Sequence, residues 1–135
     1  MKLSSILILV ENQGKDILSE EMLLEALKTG KMILVPLLKK EYDGLFHGDK
    51  KSFKRVINDN PTDIGFTKDQ TTAINIATKL QLQSGGETVY ICVVDTSYLK
   101  KEFVKKNEFP NFIPSKKVYS GPIPRDAFRY IRSAV

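Results

Sequence analysis

The side chains best suited to chemistry in this chain are few and solitary. Cys92 is the one cysteine and His47 the one histidine. A disulfide framework, a cysteine-based metal cluster and a two-histidine zinc site within one chain are thereby excluded. Cys92 sits in the run Thr88-Val89-Tyr90-Ile91-Cys92-Val93-Val94, among large apolar residues, and reads as an inert buried thiol. The chain has no Gly-rich phosphate loop, no His-x-x-x-His and no Gly-x-Ser-x-Gly elbow. A Ser/His/Asp triad needs no fixed spacing, but no residue here points to one.

What remains is an ordered set of three segments. Leu45-Phe46-His47-Gly48 comes first. Ile64-Gly65-Phe66-Thr67 follows and opens into Lys68–Ala77. Much later comes Val118-Tyr119-Ser120-Gly121-Pro122-Ile123-Pro124. A histidine at the end of a strand can hydrogen-bond a ligand, and a glycine after it lets that ligand approach the backbone. A Phe-Thr pair opening a helix offers an aromatic face, a hydroxyl and a helix N-terminus. The plain readings of the same residues are a half-exposed histidine, a core Phe66 and a Thr67 that merely caps a helix.

These segments need elements to position them. Ile6–Val10 fits a short helix capped by Ser4 or Ser5, or a strand, because so short an apolar run does not decide. Ser19 is a good N-cap for a helix whose apolar stripe is Met22, Leu23, Ala26 and Leu27 and whose stop is Gly30. Residues 1–30 are therefore expected to form an N-terminal helical arm on a domain spanning 31–135. Lys31–Leu38 reads as a strand, placed at an edge or interrupted by Pro36. Tyr42–Gly48 reads as a short strand ending at glycine, and Ser52–Ile57 as one or two helical turns. Asn58–Asp63 is turn chemistry throughout.

Ile64–Thr67 is a short strand, after which Thr67 or Asp69 caps a helix from Gln70 to Gln83, stopped by Ser84-Gly85-Gly86. Thr88–Val94 is the strongest strand, central and buried on both faces. Leu99–Pro114 reads as a long basic loop with a helical turn, Lys117–Ser120 as a last short strand and Pro122–Pro124 as a turn. Arg125–Arg132 reads as a closing helix with Ala127, Phe128 and Ile131 inward. This order predicts an α+β class.

The three segments, spread over residues 42–131, together resemble the ADP-ribosyltransferase superfamily, whose members read "strand, His-Gly", then "Gly-aromatic-Phe-Thr" entering a helix, then a last strand before "Gly-x-Ile-Pro". The resemblance implies a split mixed or antiparallel sheet with flanking helices. It implies NAD as substrate, with ADP-ribose passed to a protein or nucleic-acid acceptor. On that pattern His47 and Gly48 would anchor NAD, and Phe66 and Thr67 would lie under the nicotinamide. Glu108, or Glu102, would reach in from the preceding loop to the ribose.

Two departures from the pattern stand out. Gly65 occupies the place where a Tyr usually sandwiches nicotinamide. Lys116 and Lys117 stand where a last-strand Glu stabilises the cationic ribose, and a lysine would repel that developing charge.

Composition bounds the rest. The chain has 135 residues, 41% hydrophobic and 27% charged, which is ordinary for one globular domain. No apolar run approaches the length that spans a bilayer, and the single cysteine fits a reducing, cytoplasmic setting. Residues 1–66 carry ten Lys/Arg against ten Asp/Glu, whereas residues 67–135 carry eleven against six, so the net charge of +5 lies in the second half. The pairs Lys100-Lys101, Lys105-Lys106 and Lys116-Lys117, followed by Arg125, Arg129 and Arg132, give a basic 100–132 region. That region suits nucleic acid or an acidic partner protein. A non-catalytic binding or structural module, of the kind a bacteriophage accessory protein would be, is accordingly the alternative to a transferase.

Overall fold

Thr88–Val94, the run richest in β-branched residues, becomes an inner strand of the main sheet. The computed structural model describes residues 8–9, 20–48 and 50–133, and the side chains of 21–48 and 50–129. It is an α+β structure in which every ladder is antiparallel. The main sheet has four strands in the order β1 (Ile8–Leu9), β11 (Phe128–Ser133), β7 (Val89–Asp95) and β2 (Met32–Leu38).

Strand alternation divides the core in two. Ile33, Val35 and Leu37 of β2 point with Cys92 and Val94 of β7 to one face. Met32, Leu34 and Leu38 point with Val89, Ile91 and Val93 to the other, where Leu23 and Leu27 of α1 (Glu20–Thr29) and Ala73, Ala77 and Leu80 of α3 (Gln70–Gln83) cover them. Both faces of β2 and β7 are thus dry. This is why the two strands read as continuous apolar runs although the sheet is antiparallel.

Pro36 fits the edge position expected of it. Leu34 exchanges both backbone hydrogen bonds with Thr67 (2.7 and 3.1 Å) on the side of β2 away from β7. Two residues on, Pro36 turns its nitrogen to that same outer side, where the β2–β7 ladder needs no donor. The Leu34–Thr67 bridge also ties the end of β6 (Ile64–Phe66) to the main sheet. β6 belongs to a second sheet, in the order β6, β9 (Lys117–Tyr119) and β8 (Val104–Lys106). Two small ladders complete the fold. β3 (Ser52–Phe53) pairs with β10 (Ile123–Pro124), and β4 (Val56–Ile57) pairs with β5 (Asn60–Pro61). The β4–β5 turn places Asn58 (φ 51°) and Asp59 (φ 64°) both in the left-handed region, the signature of a type I′ hairpin.

Four sequence expectations are corrected. Tyr42–Gly48 is not a strand: Lys39–Phe46 is helix α2. Its buried residues Tyr42, Leu45 and Phe46 recur at helical spacing, and the Glu41 carboxylate accepts the Leu38 amide (2.9 Å) across the first turn. Ser52–Ile57 is not helical but supplies β3 and β4.

Arg125–Arg132 is not a closing helix. After one 3-10 turn (Arg125–Ala127) the chain extends as β11, because the gap between β1 and β7 accepts a strand there, with a register shift between Phe128 and Tyr130. Leu99–Pro114 holds the expected helical turn, a 3-10 turn at Lys101–Phe103, but is not otherwise loop, since it also holds β8. In addition, Ile123–Pro124, expected as turn, pairs with β3.

Of residues 1–30, the described ones contact the 31–135 domain. Ile8–Leu9 is a strand pairing with Ile131 and Tyr130, and α1 buries Leu23 and Leu27 in the core. The first-helix alternative does not hold at Ile8–Leu9. Residues 1–7 and 10–19, including the Ser4, Ser5 and Ser19 caps, lie outside the described residues. α1 stops where expected, at Gly30 (φ 81°), whose amide reaches Leu27 O (3.2 Å).

Asp69, not Thr67, is the N-cap of α3. Its Oδ2 accepts from the Thr72 amide (2.8 Å) and hydroxyl (2.7 Å), and these bonds hold its carboxyl below the ordinary value of 3.8. A carboxyl lowered on folding stabilises the native state above its ordinary pKa and ceases to do so as pH falls through the native value. Thermal melts in the acid range are therefore expected to fall more steeply for wild type than for Asp69→Asn, which keeps the cap but does not titrate. Parallel acid limbs would remove this role from Asp69.

Candidate functional site

The residues singled out from the sequence lie on three different elements. His47 follows the last turn of α2, where its amide bonds Asp43 O (2.8 Å). Its ring stands edge-on to Tyr42 (5.9 Å between centroids), and its Nδ1 lies 3.8 Å from Asp43 Oδ1. His47 therefore marks a helix end, not the strand end that the nucleotide-anchoring role assumed. Gly48 is needed for its own chain, since a Cβ there would meet Gly44 O at 2.6 Å. The direction a Cβ would take from Gly48 is thus filled by the backbone of α2.

Phe66 is half-buried and packs against the cluster of Ile33, Ile64, Tyr119 and Phe128. Thr67 spends its polar groups locally. Its backbone bridges to Leu34, and its hydroxyl accepts the Asp69 amide (3.1 Å). Gly65 has a packing reason: a Cβ there would run into the Ile113 side chain, with Ser115 Oγ at 3.3 Å. The space beside Gly65, where the resemblance calls for a nicotinamide-stacking Tyr, is filled by Ile113.

Glu108 is exposed, in the loop joining β8 to β9. The ladders align Phe66 with Lys117 and Lys117 with Lys106, so Phe66 lies in the sheet from whose β8–β9 loop Glu108 projects two residues beyond Lys106. The His47 ring meets Tyr42 and Asp43 of its own helix. A cleft of about 840 Å³ lies elsewhere, between α1 and the end of β7, lined by Met22, Glu25, Ala26, Asp95 and Ser97 among others and by none of the predicted site residues. No helix among the described residues is long and apolar enough to cross a membrane.

What the structure does assemble is the β8–β9 hairpin. Lys105 pairs with Val118 and Lys106 with Lys117, and the Asn107 amide extends the ladder to Lys116 O (3.0 Å). Lys105, Lys106, Lys116 and Lys117 are all exposed at its base. With Lys100 and Lys101 they face only Glu102 and Glu108 within residues 99–117.

The loop above them has a built interior. Asn107 is 8% exposed, donates Nδ2 to Ile113 O and to Ser115 O (2.8 Å), and accepts the Phe109 amide on Oδ1 (2.9 Å). Ser115 donates its hydroxyl to Lys117 O (2.8 Å), and Gln83 Nε2 at the end of α3 holds Phe112 O (3.0 Å). On this frame Phe109 and Phe112 stand 64% and 66% exposed. These two rings and Asn107 were missed in the sequence. Asn107-Glu108-Phe109-Pro110-Asn111 is turn chemistry that flags a shaped loop, but it says nothing about which rings face outward.

Cys92 is fully buried, and that burial pushes its thiol far above the ordinary range. A thiol reagent is expected to leave the folded chain untouched even at about pH 9, where a free cysteine is largely ionised, and to react once denaturant is added. Rapid labelling of the native chain would contradict that burial. Comparison with protein-family models, with curated proteins and with solved structures finds no match to this chain.

Proposed function

We propose that this chain is a non-catalytic binding module for nucleic acid, with the β8–β9 hairpin as its contact face. The carrying observation is the hairpin itself: four exposed lysines, of which Lys106 and Lys117 are opposite one another in the ladder and Lys105 and Lys116 flank them, beneath a hydrogen-bonded loop that turns two phenylalanines to solvent. Lysines near a phosphate backbone gain by releasing its counterions. A braced loop holds its lysines in register, so less ordering is needed on binding.

Titration of a labelled oligonucleotide by fluorescence anisotropy tests this. Affinity is expected to fall steeply between about 50 and 200 mM salt. Replacing Lys105, Lys106, Lys116 and Lys117 by serine is expected to flatten the slope of log K against log salt by about 0.7–0.9 for each phosphate no longer neutralised. A wild type that binds no oligonucleotide at the low-salt end, or a quadruple variant that binds like wild type, would remove the hairpin from the reading.

A second reading keeps the ADP-ribosyltransferase-like arrangement. NAD would be the substrate, with His47 and Gly48 anchoring it, Phe66 and Thr67 at the nicotinamide end and Glu108 at the ribose. Its support is the resemblance, together with the attachment of the Glu108 loop to the sheet that contains Phe66. Labelled NAD offered to the same preparation, wild type beside His47→Ala, separates the two. Label transferred by wild type and lost in the variant would favour transfer. No transfer, with salt-dependent oligonucleotide binding intact, would favour the module.

A further inference from the structure

Resting on the nucleic-acid reading above, we propose that the ligand is single-stranded and that Phe109 and Phe112 stack on its unpaired bases. Phe109 O accepts the amides of Phe112 (3.0 Å) and Ile113 (3.1 Å), which closes the tip of the loop into one tight turn. First and fourth residues of such a turn lie within about 7 Å at Cα. The two phenylalanines thus leave the chain from one turn, close enough for neighbouring nucleotides, which rise about 3.4 Å apiece in a stacked strand, to meet both.

The rings are presented, not left over. Ile113, next in sequence, packs against Gly65, Gln83 donates to the Phe112 carbonyl, and Asn107 donates to those of Ile113 and Ser115. Both phenylalanines nevertheless stay mostly exposed, and neither ring packs on another aromatic ring among the described residues.

The chemistry around the rings selects the ligand. Every base has a π-face, so aromatic platforms take unpaired bases with little regard to sequence. In a duplex those faces are already covered by neighbouring base pairs. Residues 99–117 contain no arginine, so the bidentate guanidinium reading of guanine is absent from the hairpin. The Lys106–Lys117 pair, with Lys105 and Lys116 beside it, supplies point charges next to the stacked bases. The result is a short, sequence-tolerant single-strand site.

The test compares three probes of about 12 nucleotides, within the usual single-strand site sizes: single-stranded DNA, single-stranded RNA and a blunt duplex. The single strands are expected to bind at least about 10-fold more tightly than the duplex. Phe109→Ala and Phe112→Ala are each expected to weaken single-strand binding by about 5- to 100-fold while leaving duplex binding and the salt slope unchanged. Phe112→Trp, which keeps a stacking face, is expected to retain the affinity. A 2-aminopurine probe, whose fluorescence is quenched on stacking, is expected to darken on the wild type and not on the alanine variants.

Equal affinity for single strand and duplex would overturn the inference while leaving the basic-face reading in place. So would alanine variants that bind and quench like wild type. Failure of all three probes to bind would remove both. The Trp variant separates loss of stacking from loss of loop structure.

Discussion

Arg55→Ala is expected to lower the folding stability by about 3–5 kcal/mol, the usual result of leaving one member of a buried ion pair without the other. Arg55 is 3% exposed. Its Nε and Nη2 meet Glu41 Oε2 (3.0 Å) and Oε1 (2.8 Å) in a two-pronged pair, and Nη2 also donates to Pro36 O (2.9 Å). The guanidinium lies 5.4 Å from the Phe53 ring centroid. Glu41 in turn accepts the Leu38 amide.

One side chain thus ties together the outer edge of β2, the first turn of α2 and the β3–β4 segment. Alanine would strand a nearly buried carboxylate and an outward strand carbonyl at once. Lysine cannot reproduce the fork and is expected to recover only part of the loss. The double variant Glu41→Leu, Arg55→Met is expected to recover most of it, because the unpaired charge then goes with its partner. Urea unfolding of wild type, Glu41→Leu, Arg55→Met and the double variant measures this as a double-mutant cycle, with Arg55→Ala and Arg55→Lys beside it. An Arg55→Ala protein within about 1 kcal/mol of wild type would show that the pair is solvent-screened and of the surface kind.

Asn107→Leu is expected to be nearly as costly for stability and more costly for binding. The substitution removes two donors and one acceptor from a buried site, leaving Ile113 O, Ser115 O and the Phe109 amide without their partner. Each buried orphan costs about 1–3 kcal/mol. Loop groups near the surface recover part of that by reaching water, so a net loss of about 2–4 kcal/mol is expected.

The functional consequence follows from geometry. Without Asn107 the turn that holds Phe109 and Phe112 loses its floor, while all four hairpin lysines remain. Oligonucleotide affinity is expected to fall by about 10-fold or more with the salt slope intact, the pattern of lost stacking and not of lost charge. Hydrogen exchange at the Phe109, Phe112 and Ile113 amides is expected to accelerate selectively. Unchanged protection there would show that the loop holds its shape without Asn107.

Particular residues show what was legible beforehand. The stops of α1 and α3 were readable because Gly30, Gly85 and Gly86 take positive φ (81°, 80° and 96°), which other residues avoid. Pro36 announced an edge, and Asn58-Asp59 announced a turn, for equally local reasons. Tyr42–Gly48 was misread because Gly44 resembles a strand end or turn, whereas Tyr42, Leu45 and Phe46 needed only an apolar surface to make a helix. That surface comes from distant chain, including Tyr90 and Phe128, whose rings meet Tyr42 and Phe46 edge-on (5.3 and 5.8 Å). Ala127, Phe128 and Ile131 fit a helical face as well as a strand, and only the gap between β1 and β7 chose the strand. The same ambiguity bears on His47, which a strand reading of Tyr42–Gly48 sets at a strand end and the structure sets at the end of α2.

Local signals were enough for the α+β class, the buried strand around Cys92, the helix Gln70–Gln83 and the concentration of positive charge in the second half. Each follows from a few neighbouring residues or from composition, namely β-branching, capping, glycine conformation and net charge. Only the folded chain brings Arg55 onto Glu41 and Pro36, 14 and 19 residues away, and Ile113 into the space beside Gly65. Only there do Phe109 and Phe112 share an outward turn above four lysines. Those outcomes depend on which distant surfaces remain uncovered once the sheet has formed, and no local pattern of residue types carries that information.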